Sequence, residues 1–200
     1  AAVTALALRV LAPSARAVLL VGTGAQARAH AQLLAELGAV DALHLVGRTP
    51  ARAQAFAEAL AADGLAPRPV VHATAAAALP VVPAVVTLTG SLRPVLLDAV
   101  PPACLVVGVG AFTPAMAELP PGLLRGRRVL VDALAAARHE AGDLLQAGID
   151  WSSVDELVDV LDAAAATAGP APVFKSVGHA AWDLAAAHVA WRQRQAGPAP

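Results

Sequence analysis

Val18-Leu19-Leu20-Val21-Gly22-Thr23-Gly24-Ala25-Gln26-Ala27 runs four apolar residues into two glycines one residue apart, then into an alanine-rich segment with helical spacing. A short, continuously apolar run that stops at a turn reads as a strand buried on both faces, the kind found in parallel sheets. In the turn, Gly22 takes backbone angles closed to other residues. Gly24, lacking a Cβ, lets the main chain come into contact with a ligand. The helix opening at Ala25 aims its free N–H groups and the positive end of its dipole at the same spot, which suits a diphosphate. Ala27 holds the third position of the G-x-G-x-x-G/A pattern, where a small residue lets helix and strand pack closely. Gly22, Thr23, Gly24, Ala25 and Gln26 are therefore expected to hold the phosphates of a dinucleotide; an ordinary tight turn is what the glycine pair would mean without that context.

The flanking sequence supplies the context. The strand Ala17–Val21 is followed by a helix with Ala29, Leu33, Leu34 and Leu37 on one stripe and Gly38 at its end. ALHLV (42–46) is the next strand, and Thr49-Pro50 opens a second helix as N-cap and first helical residue, with Ala53, Phe56, Ala57 and Leu60 inward and Gly64 closing it. Further strands are expected at 68–71, 84–88, 104–108 and 127–131. Alternation of strand and helix predicts an α/β fold, a doubly wound, mainly parallel sheet covered on both faces. From Asp132 onward the pattern turns helical: Val154 to Ala166, a Gly-Pro-Ala-Pro break, then His179 to about Gln193, with a frayed tail.

Cofactor choice is expected to be decided at the end of the second strand, where an acid commonly holds the ribose hydroxyls of NAD. Here the residues are Val46-Gly47-Arg48-Thr49, with no acid. The Arg48 guanidinium suits the extra phosphate of NADP, aided by the Thr49 hydroxyl and by Arg52, so NADPH is preferred over NADH. Thr49 reads equally as a helix cap and Arg52 as a solvated helix face. Two more strand ends should face the same crevice. Thr87-Leu88-Thr89-Gly90-Ser91 offers hydroxyls and open backbone to the ribose, and Gly108-Val109-Gly110-Ala111-Phe112 a close, apolar backbone to the nicotinamide.

The totals agree with a small ligand. Two hundred residues with 58% hydrophobic content bury a sizeable core, and a net charge of −1 with mixed signs points to neither nucleic acid nor an anionic membrane. Cys104 is the only cysteine, which excludes an internal disulfide and fits a reducing, cytoplasmic setting. Residues 69–92 carry no formal charge, but Pro80, Pro83 and Gly90 interrupt them, so two short strands are expected and no membrane span. No signal peptide is read at the amino end. The six histidines lack metal-ligand spacing, Trp151, Trp182 and Trp191 read as packing or interface residues, and no serine sits in a nucleophile elbow. The chain opens in helical rhythm with no initiator Met, so a fragment of a longer protein is expected.

Taken together, VGTGAQARAH, GRTPARAQAFAEAL, VTLTGSLRPVL, GVGAFTPAMAELP, VDALAAARHEAGDLL and VFKSVGHAAWDLAAAH resemble, in order and spacing, the ornithine cyclodeaminase/mu-crystallin family. The resemblance implies a Rossmann domain over 15–150, a nicotinamide cofactor, and a separate dimerising substrate domain from residues before this chain. Residues 1–14 would lead in from that domain, 151–196 would return toward it as a helical segment, and 197–200 would be a disordered tail. Cyclodeaminases of the family carry an acid two positions before the proline of GAFTP; Phe112 stands there, and a phenyl ring moves no proton. The wording GAFTPAMAELP is similar to bacterial ketimine reductases, which reduce Δ1-pyrroline-2-carboxylate, and often Δ1-piperideine-2-carboxylate, to L-proline and L-pipecolate.

The implied activity is hydride transfer to the C=N carbon of a cyclic imino acid, as an oxidoreductase of proline metabolism that is a homodimer when complete. Phe112, Lys175, Ser176 and Gly178 would border substrate and cofactor; on chemistry alone Lys175 reads as solvated, Ser176 as a helix cap and Asp183 as a first-turn acid. The residues that hold the substrate carboxylate and supply the proton are expected in the absent domain. Two alternatives stay open: an NAD-dependent, ammonia-releasing ornithine cyclodeaminase, and a non-catalytic NADPH and small-ligand binder.

Overall fold

The computed structural model describes residues 1–65, 69–161 and 169–196. In chain order the elements are α1 (Ala2–Leu11), β1 (Ala17–Val21), α2 (Ala25–Glu36), β2 (Ala42–Val46), α3 (Pro50–Ala62), β3 (Val70–Val71), α4 (Ala75–Ala78), β4 (Ala84–Thr87), β5 (Leu105–Gly108), α5 (Pro121–Arg125), β6 (Val129–Val131), α6 (Leu134–Glu140), α7 (Gly142–Ala147), β7 (Asp155–Glu156), β8 (Val173–Lys175) and α8 (Ala180–Ala196). The strands form one sheet in the order β3-β2-β1-β4-β5-β8-β6-β7, and every pairing is parallel. This is the doubly wound, Rossmann-like sheet that the alternation predicts. The order reverses between β1 and β4, so the crevice forms there, at the carboxyl ends of the strands.

Alternation along each strand splits the core in two. Leu19, Val21, Val85, Val106, Val131 and Val173 face Leu79, Leu123, Leu124 and Leu144 on one side of the sheet. Val18, Leu20, Val86, Val107, Leu130 and Phe174 face Ala27, Ala31 and Leu34 of α2, Leu60 of α3 and Ala7 and Leu8 of α1 on the other. Alanine on the inner face of α2 lets it lie close to the sheet, which explains why an alanine-rich sequence still packs tightly.

Three expectations need correction. The strand predicted over 68–71 is the pair Val70–Val71, with Arg68 outside the described residues. The strand predicted from Arg127 begins at Val129; the Arg127 guanidinium donates instead to the carbonyls of Val100, Pro101 and Cys104 at 2.7–2.8 Å. The helix predicted from Val154 is absent over its described part: Val154 is extended, Asp155–Glu156 is a strand and Leu157–Val160 a single 3-10 turn. The rest of that helix, and the tail 197–200, lie outside the described residues.

The segment after residue 150 is thus not helical throughout. Val173–Lys175 enters the middle of the sheet between β5 and β6, with Val173 and Phe174 fully buried. Three residues are too few for a periodicity; this strand exists because both neighbours present open edges. The last helix does appear, and its residues with described side chains are exposed, including Trp182, Leu184, Val189 and Trp191.

Candidate functional site

Because all strands run parallel, the residues after β1, β4, β5 and β8 meet at one edge. They enclose a cavity of about 670 Å³ whose lining includes Gly24, Ala25, Gln26, Leu88, Thr89, Gly90, Val109, Gly110, Phe112, Ser176 and Gly178. The first turn of α1 and Trp182 and Asp183 of α8 complete it.

The two glycines of the turn have separate tasks. Gly22 has φ +131°, donates its N–H to the Val46 carbonyl at 2.8 Å, and would set a Cβ only 2.6 Å from the Leu88 carbonyl oxygen. It makes the turn and does not reach the cavity. Gly24 is the N-cap of α2 with nothing within 4 Å of an added Cβ, and no side chain caps that helix. The uncapped first turn of a 12-residue helix thus borders the cavity. Thr23, outside the lining, has its methyl against Gly47: a Cβ there would stand 3.1 Å away.

Arg48, Thr49 and Arg52 are exposed at the end of β2 and the start of α3, outside the cavity lining. The Thr49 hydroxyl accepts from the Arg52 N–H at 3.3 Å, so its visible task is the helix cap. Among the described residues no carboxylate stands within 4.0 Å of either guanidinium.

Thr87 and Lys175 do not face the cavity. Both are fully buried. The Thr87 hydroxyl donates to Glu118 Oε2 at 2.9 Å, because the side chain at that register points under the sheet end. Lys175 is not solvated: Nζ lies 3.1 Å from Asp143 Oδ2, although neither atom has a well-aligned hydrogen-bond partner among the described residues. Nor does the loop backbone offer all its donors to a ligand. The N–H groups of Thr89 and Gly110 point inward to Glu118 Oε1 and Oε2, at 2.5 and 2.6 Å.

Sequence reading missed the buried carboxylates under the site. Asp132 Oδ2 accepts from the Ser176 hydroxyl at 2.7 Å and the Gly178 N–H at 2.9 Å, and Oδ1 from the Val177 N–H at 3.2 Å, which shapes the loop after β8. Asp143 Oδ1 accepts from the N–H groups of Glu118 and Leu119, at 2.5 and 2.9 Å. The available signal was an isolated acid within an apolar stretch, as in AMAELP and LVDAL.

His30 ties α1 to α2. Its Nδ1–H donates to the Gln26 carbonyl at 2.7 Å, which leaves Nε2 to accept from the Thr4 hydroxyl at 2.9 Å. Burial, opposed by the Gln26 carbonyl, pushes its pKa down to about 4. Burial also pushes the Cys104 thiol up to about 11, partly offset by Arg127, so this cysteine is an inert core residue. Among the described residues no three His, Cys, Asp or Glu side chains converge as for a metal, and no helix is long and apolar enough to cross a membrane.

Sheet order, glycine turn and crevice define an α/β protein of the Rossmann class. The chain belongs to the ornithine cyclodeaminase/mu-crystallin family, whose profile matches residues 1–197. It is 45% identical over 191 residues to Δ1-pyrroline-2-carboxylate reductase 1 of Burkholderia multivorans, covering 95% of this chain and 60% of that protein. To a Δ1-pyrroline-2-carboxylate/Δ1-piperideine-2-carboxylate reductase of Azospirillum brasilense it is 47% identical over 191 residues, with the same coverage. The structure of a protein described as a probable ornithine cyclodeaminase from Bordetella pertussis Tohama I superposes with a TM-score of 0.83 at 32% identity, over 98% of this chain and 66% of that one. The chain thus spans about 60% of the length of the two reductases.

Proposed function

We propose that this chain is the cofactor-binding part of an NADPH-dependent reductase of cyclic ketimines, Δ1-pyrroline-2-carboxylate and Δ1-piperideine-2-carboxylate, which yields L-proline and L-pipecolate. The observation that carries the reading is Phe112. It is half exposed on the cavity wall, where a cyclodeaminase of this family would need an acid. A phenyl group neither activates water nor shuttles a proton, but it does keep the space beside a hydride acceptor dry. The identity to the two reductases supports the same substrate class.

The residues present fit a dinucleotide. The open first turn of α2 and the bare Gly24 suit a pyrophosphate, and Arg48, exposed with no acidic partner among the described residues, suits a 2′-phosphate. A bound nicotinamide supplies the hydride for the C=N carbon. Leu88, Thr89, Val109 and Gly110 wall the cavity after β4 and β5, and Phe112, Ser176 and Gly178 border the space beside them. Within the chain no residue is assigned the proton transfer or the substrate carboxylate; in this reading both belong to an amino-terminal substrate domain, with 15–150 as the core of the cofactor domain.

The exposed apolar residues of α8 suit packing against that domain and a homodimer. A cytoplasmic location agrees with one buried, free cysteine.

The test is to incubate the complete natural protein with NADPH and Δ1-pyrroline-2-carboxylate and follow absorbance at about 340 nm, where reduced nicotinamide absorbs. Oxidation of NADPH with L-proline as product is expected. Ammonia release from ornithine, or tight NADPH binding without turnover, would sink the reductase reading.

A further inference from the structure

Glu118 is fully buried in the segment between β5 and α5, outside the cavity lining, yet three donors converge on it. Oε2 accepts from the Thr87 hydroxyl and the Gly110 N–H, and Oε1 from the Thr89 N–H, at 2.9, 2.6 and 2.5 Å. Thr89 follows β4 and Gly110 follows β5, and both line the cavity. One carboxylate therefore joins the two loops from beneath. The contact is so close that a Cβ on Gly110 would lie 2.0 Å from the Thr89 carbonyl oxygen and 2.6 Å from Oε1. Only glycine permits it.

The clamp is itself held. The Glu118 N–H donates to Asp143 of α7, its carbonyl accepts from the Val95 N–H at 2.8 Å, and Asp143 faces Lys175 of β8. This end of the cavity lies on the β4–β5–β8 side of the switch point, away from Arg48 at β2.

We propose that Glu118 is a positioning residue for the dinucleotide: by tying the loops after β4 and β5 together, it sets the wall against which the end remote from Arg48 is held. The inference rests on the function proposed above. It assigns Glu118 no contact with ligand; the effect passes through Thr89 and Gly110.

Glu118→Gln keeps the side-chain volume but has one acceptor oxygen, so at least one loop N–H must face an amide NH₂. An unsatisfied buried donor of that kind weakens what it holds by about tenfold. In the complete natural protein, Glu118→Gln is expected to speed amide exchange at Thr89 or Gly110 about tenfold and to weaken NADPH binding by about the same factor. Affinity for adenosine 2′,5′-bisphosphate, which reaches only the Arg48 end, should stay within about twofold.

Unchanged exchange at both amides overturns the proposal. So does equal loss of both ligands, which signals a damaged fold and not a displaced loop. Should the variant not fold, the wild type decides: Thr89 and Gly110 must be among the protected amides, and exchange at the rate of open loop amides overturns the clamp. Wild-type protein that binds neither nucleotide overturns the function proposed above, a failure distinct from unaltered exchange.

Discussion

At the scale of single residues, the glycine turn shows how one pattern hides two requirements. At Gly22 a methyl group meets backbone, the Leu88 carbonyl oxygen at 2.6 Å, and a φ of +131° that L side chains avoid. Gly22→Ala is expected to lower unfolding free energy by about 2–4 kcal/mol, read from the urea midpoint. Gly24→Ala meets nothing within 4 Å and has an ordinary φ of −93°, so it should leave stability within about 1 kcal/mol and act only on what enters the cavity. If both variants unfold alike, the division of labour is wrong. In the function proposed above Arg48 carries the cofactor preference: with no acidic partner among the described residues, its guanidinium is available to a phosphate. Arg48→Ala should weaken NADPH binding roughly ten- to a hundredfold, about 1.5–3 kcal/mol, and leave NADH binding nearly unchanged in a calorimetric titration.

At the scale of elements, the contact of α1 with α2 includes one buried imidazole that bonds Thr4. His30 has a folded pKa of about 4 against the usual 6.5. Below about pH 6.5 the unfolded chain takes up a proton that the folded chain refuses, so stability falls as pH falls and levels off below about pH 4. The loss over that window is about 3 kcal/mol. A urea titration repeated between pH 7 and pH 4 should show it, and His30→Asn should flatten the slope in that window; a slope unchanged by the substitution would refute the assignment. The elements at the strand ends behave differently from those of the core. Their shape comes from Glu118, Asp132 and Asp143 below them, each from a segment distant in sequence.

At the scale of the whole molecule, β8 decides what counts as one unit. It bridges β5 and β6, and its Val173 and Phe174 feed the two opposite cores. A chain cut after residue 150 keeps the glycine turn and most strands but opens β5 and β6 to solvent. It is expected to lose cooperative unfolding and to show amide exchange across β5 and β6 at unprotected rates. Native-like protection in the truncated chain would mean that residues 15–150 fold as a domain alone.

The amino-acid sequence by itself determined the local grammar. Apolar runs such as AVLLV, the Thr49-Pro50 start of α3 and the positive φ of Gly22 in its turn are set by near neighbours, so they are legible without coordinates. That Phe112, on the cavity wall, brings no acid there was legible too, because a phenyl side chain moves no proton. Only the tertiary structure decided the fate of Thr87 and Lys175, which read as site residues and turned out to point beneath it, and of Val173–Lys175, which became a central strand. The reason is physical: burial, pairing edges and the convergence of three donors on Glu118 are properties of chain segments that meet across long sequence separations, and no short stretch of residues contains them.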